Sequence, residues 1–123
     1  MVIFDTNAIL RYVLRDNLEM AAEVKNQLSF ESCFIPVEVV AEIVYVLSKV
    51  YNVERDVIAK TIANITHINN IKVAQKEVVL HALRVYANTT LDFVDCLLIG
   101  YAKEERYTVF TFDKKLRKIL LRK

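Results

Sequence analysis

Asp92 and Asp95 stand three residues apart at the head of LDFVDCLLIGYA, a stretch otherwise almost wholly apolar. Residues three apart lie about 60° from each other around a helix, so the two carboxylates share one face. Three further acids fall where chemistry is plausible. Asp5 closes the short run VIFD, Asp113 follows YTVFTF, and Glu42 lies within VEVVAEIVYVL. Carboxylates that converge repel one another, and without a counter-charge some are driven to take up protons. A divalent cation resolves that conflict, and all-oxygen ligation selects hard Mg2+ or Mn2+ over zinc. Plainer readings stand beside this one. One member of the Asp92–Asp95 pair caps the helix while the other favours its N-terminal dipole, and Glu42 reaches water from an otherwise apolar helix. Neither His67 nor His81 has a Cys or His partner at zinc-ligand spacing. Cys33 and Cys96 form no CxxC pair and have no neighbouring base, so they read as reduced core thiols.

The acids act together only if the chain brings them to one place. VIFD reads as a strand and NAILRYVL as a helical segment; NLEMAAEVKNQL has helical period, with Asn17 as its N-cap. Cys33–Ile35 is the next strand, and Pro36 suits the first turn of the long helix VEVVAEIVYVLSKVY. A helix over VERDVIAKTIANITHI leads to a third strand at Ile71–Ala74. KEVVLHALRVYA is helical, and the helix opened by DFVD follows. Tyr107–Phe112 alternates and is rich in β-formers, which makes it the clearest strand of all. A basic helix then starts at Asp113. Strands separated by helices require crossover connections and a parallel sheet. The expectation is a three-layer α/β domain with more helices than strands. Parallel sheets place their sites at the carboxyl ends of strands; Asp5 and Asp113 end the first and last.

The composition agrees with a single domain spanning residues 1–123. With 54% hydrophobic and 26% charged residues it is an ordinary globule, and one Gly and one Pro argue against an all-β fold of tight hairpins. No apolar run reaches the roughly 18 residues of a membrane span, and the acid at position 5 is foreign to a signal peptide. A cytoplasmic protein is expected. The net charge of +2 hides an asymmetry: KKLRKILLRK at the C-terminus holds six basic residues and no acid, which leaves residues 1–113 at −4.

FDTNAILRYVL, VVAEIVYVL, LDFVDCLLIGYA and VFTFDKKL, in that order and spacing, resemble the PIN-domain family, specifically its VapC-type toxins of toxin–antitoxin systems. The resemblance implies an α/β/α PIN-like fold with a central parallel sheet of about four to five strands. It also implies Mg2+- or Mn2+-dependent endonucleolytic cleavage of RNA, homodimers and inhibition by an antitoxin. By position, the catalytic and metal-binding acids are Asp5, Glu42, Asp95 and Asp113, with Asp92 as cap or auxiliary ligand. Asn7 and Thr111 then orient carboxylates or water from beside the first and last acids. Because an acidic pocket repels RNA, Lys114, Lys115, Arg117 and Lys118 are expected to pair with phosphates, joined by Arg11 and Arg15; a solvated amphipathic helix is the alternative for the C-terminal strip. Tyr12, Val13, Tyr45, Val46 and Val50 give their helices more apolar surface than one sheet covers, which favours a homodimer and a groove for an amphipathic antitoxin segment. Two other functions fit less well: a catalytically silent PIN-like domain that binds RNA or a partner, and a phosphoacceptor receiver domain, which leaves Glu42 without a role.

Overall fold

Amides of Val2 and Phe4 donate to the carbonyls of Ser32 and Phe34, at 2.9 and 3.2 Å, and join strand β1 (Val2–Ile3) in parallel to β2 (Cys33–Ile35). Strand β3 (Ile71–Val73) pairs in parallel with the other edge of β2, with Cys33 opposite Ile71 and Ile35 opposite Val73. The computed structural model describes residues 1–122; Lys123, the last basic residue of the C-terminal strip, lies outside them. Parallel neighbours cannot be joined by tight turns. Helices α1 (Thr6–Leu14) and α2 (Leu18–Phe30) therefore carry the chain from β1 to β2, and α3 (Val37–Lys49) and α4 (Arg55–Thr66) carry it from β2 to β3. Helices α5 (Lys76–Asn88), α6 (Phe93–Glu104) and α7 (Lys114–Leu120) complete the chain. Local sequence sets several of these boundaries. Asn17 caps α2 by accepting from the Met20 amide at 3.0 Å, as its position suggested. Pro36 stands just before the first turn of α3 and not within it, and its carbonyl accepts from the Val40 amide.

Helix α6 is greasy because it fills the core. Phe93, Cys96, Leu97, Ile99 and Gly100 are buried, and α6 packs against α5 through Val78, Val79, Ala82, Leu83 and Tyr86. At Gly100, the chain's one glycine, an added Cβ would lie 2.6 Å from the Val78 carbonyl oxygen, so the approach of α6 to α5 depends on a missing side chain. Tyr86 and Phe93 meet edge to face with ring centres 5.7 Å apart. Cys33 and Cys96 are free thiols with no exposed surface.

The chain is thus a helix-rich α/β fold around a parallel sheet, but with three strands among the described residues and not four to five. The missing strand is Tyr107–Phe112, which forms no ladder. A strand exists only when an edge is presented to it, and β-forming composition cannot supply one. Here the segment starts against α6, and the helix that follows it is tied to α6 at its far end. Arg106 adopts φ 60° directly beyond the helix end, and Tyr107 lies beside Tyr101 of α6 at 6.2 Å. Lys103 of α6 donates to the carbonyls of Leu120 and Arg122, holding the far end of α7.

Candidate active site

Each predicted acid has a definite place. Asp5 ends the β1 passage and caps α1, its Oδ1 accepting from the Ala8 amide at 2.9 Å; its side chain is exposed, as is that of Asn7 in the first turn. Glu42 lies on α3 between the half-buried Ala41 and the buried Ile43 and is itself exposed, so the helix keeps its charge in water. Asp92 holds the N-cap position of α6 but makes no side-chain cap hydrogen bond. Asp95 follows in the first turn, half-buried. Asp113 caps α7 by accepting from the Leu116 amide at 3.0 Å, while its own amide donates to Thr111 Oγ1 at 3.1 Å.

Electrostatics single out three of these acids. Burial raises the Asp95 pKa above the ordinary carboxylate value, and the charges of Asp92 and then Asp113 raise it further. The N-termini of α6 and α7 thus bring Asp92 and Asp113 within electrical reach of Asp95. Asp5 and Glu42 sit on α1 and α3. As the side chains lie, no three acids, histidines or cysteines among the described residues are close enough to hold an ion between them. Of the four acids read from the sequence, only Asp113 acts electrostatically on Asp95.

The basic residues divide into two groups. Lys114 and Lys118 are exposed on α7. Lys115 donates to Thr90 Oγ1 at 2.6 Å, which ties α7 to the turn before α6, and Arg117 donates to the Thr111 carbonyl. Arg15 is exposed at the end of α1, 5.6 Å from the centre of the Tyr12 ring. Arg11 turns inward: it pairs with Asp16 at 3.1 Å and points Nη2 at the Tyr51 hydroxyl, with its side chain 19% exposed. A guanidinium engaged this way is poorly placed to meet a phosphate. Burial pushes the thiols of Cys33 and Cys96 up to about 11, so both stay protonated at neutral pH and are poor nucleophiles.

One contributor escaped the sequence reading. Arg55, at the start of α4, lies over the Tyr86 ring with its guanidinium carbon 3.7 Å from the ring centre. Its Nε donates to the Tyr86 carbonyl at 2.8 Å and its Nη2 to the Leu91 carbonyl. It thereby pins the turn that launches Asp92 and Asp95. No spacing in the sequence announces this, because the partners are backbone carbonyls more than 30 residues away.

The PIN domain family model matches residues 2–120. The chain belongs to the PIN-domain family. This is the family the motifs resembled, and it removes the receiver-domain alternative. The PIN domain is also similar to a VapC ribonuclease of Aquifex aeolicus (strain VF5), at 27% identity over 124 residues that cover 97% of this chain and 92% of that protein. No solved structure matched significantly.

Proposed function

We propose that this PIN domain is a Mg2+- or Mn2+-dependent endoribonuclease that hydrolyses RNA phosphodiester bonds, the toxin of a toxin–antitoxin pair. The observation that carries the reading is the half-buried Asp95 in the first turn of α6, where burial and then the charges of Asp92 and Asp113 oppose its negative charge. Family membership and the similar VapC ribonuclease support the reaction class. The donor set fits a hard divalent ion, being carboxylates alone. Asp95 and Asp113 would hold it, with Asp5 and Glu42 approaching from α1 and α3 and Asp92 as an auxiliary. When bound, such an ion lowers the pKa of an attacking water and neutralises charge on the phosphate. The chain's own residues supply position. Thr111 fixes the backbone at Asp113, Arg55 fixes the turn before Asp92, and Lys114, Lys115 and Lys118 offer positive charge beside Asp113 for the RNA backbone.

Assembly belongs to the same reading. Tyr45 and Val50 are exposed at 62% each, whereas Tyr12, Val13 and Val46 pack partly against the core. Val50, just past α3, supports a homodimer, and the family context supports an antitoxin that docks as an amphipathic segment. No helix among the described residues is long and apolar enough to cross a membrane; a cytoplasmic location is part of the proposal.

Calorimetric titration with Mn2+, paired with thermal melting, tests the metal site. Binding should appear as heat and as a higher melting temperature, since an ion that prefers the native state stabilises it. Asp95→Asn and Asp5→Asn should each shrink both signals. No heat and an unchanged melting curve in the parent protein would discard the site.

A further inference from the structure

A cavity of about 500 Å³ opens between α3, the start of α4, the end of α5 and the start of α6, and Asp92 and Asp95 form part of its wall. We infer that it is a subsite for one unpaired nucleobase of the RNA, next to the nucleotide at the Asp95 centre; this rests on the ribonuclease reading above. Its volume falls within the roughly 300–1,000 Å³ usual for small-ligand sites. Tyr86 and Phe93, 3% and 6% exposed, form an aromatic floor, and Tyr45 stands at the rim with 62% of its surface free.

Arg55 decides what the cavity accepts. One face of its guanidinium lies against Tyr86, and two of its three nitrogens are committed to backbone carbonyls. A phosphate is best bound by the edge donors of a guanidinium, in bidentate fashion. Two of those donors are committed here, which leaves no free Nε–Nη2 fork, and Asp92 and Asp95 on the same wall repel an anion. A flat, uncharged, electron-rich ring meets neither obstacle. It can stack on the guanidinium plane and on the exposed Tyr45 ring, the mode by which unpaired RNA bases are commonly held. Asp95 and Tyr45 line the same opening, so a nucleotide held at Asp95 has its neighbouring base within reach of the exposed Tyr45 ring.

The test is an NMR titration of the whole protein with each nucleoside 5′-monophosphate and, separately, with inorganic phosphate. The Tyr86 and Phe93 ring signals should shift with at least one nucleotide and stay still with phosphate. Tyr45→Ala, an exposed position, should keep the melting temperature and weaken that nucleotide about five-fold or more, the low end of one stacked base. Arg55→Lys, which keeps charge but loses the planar face, should weaken it similarly. Rings that ignore every nucleotide, that respond equally to phosphate, or that bind unchanged in Tyr45→Ala would overturn the inference. A parallel cleavage assay on single-stranded RNA separates the two readings. Ring shifts without cleavage sink the nuclease and leave the subsite, and cleavage without ring shifts does the reverse.

Discussion

At the head of α6, Asp92 has the extended backbone of a cap residue, φ −63° and ψ 151°, yet no backbone amide donates to its carboxylate. The usual loss of about 1 kcal/mol for removing a cap should therefore not appear in Asp92→Ala, whose urea unfolding is expected to stay well within that figure of the parent. Asp95 sits in the opposite situation. Its folded pKa is raised, first by burial and then by Asp92 and Asp113, so the fold disfavours its charged form. Stability that is present below the ordinary Asp pKa, about 3.9, is lost as pH rises through the raised folded value. Asp95→Asn, unfolded in EDTA, should consequently be more stable than the parent near neutral pH, with the gain fading as pH falls toward the ordinary value. A variant that is equally destabilised at every pH would show Asp95 acting through packing. At this scale the acids were legible, because carboxylates in an apolar stretch are conspicuous. Arg55 was not, because its carbonyl partners leave no mark on residue type.

Helices α1 to α7 follow their sequence patterns closely, since apolar period, Asn17, Pro36 and Asp113 all act locally. Tyr107–Phe112 departs from its pattern because strand pairing is not local. The alternation that suggested two faces instead places Phe110 and Phe112 almost wholly in solvent, 85% and 82% exposed, their rings meeting edge to face at 5.3 Å. Phe110→Ser and Phe112→Ser are thus expected to change the unfolding free energy by no more than about 0.5 kcal/mol, as at other surface positions. Losses of about 3–5 kcal/mol, the range for a buried Phe, would instead place these rings inside a core.

Taken whole, the molecule pairs an acidic body with a basic C-terminal strip and leaves Val50 uncovered just past α3. Patches of this kind on a soluble protein are commonly hidden by a twofold partner. Sedimentation equilibrium at micromolar concentration should report twice the 14.3 kDa chain mass, and a lone 14.3 kDa species would remove the dimer without touching the chemistry. The chemistry itself is tested most directly by incubating the pure protein with a panel of structured RNAs in Mn2+, in Mg2+ and in EDTA, alongside Asp95→Asn. The parent should cut at least one RNA at internal positions with either metal, and EDTA or Asp95→Asn should abolish the products. Intact RNA in every lane, or cleavage that persists equally in EDTA and in Asp95→Asn, would contradict a metal-dependent endoribonuclease centred on Asp95.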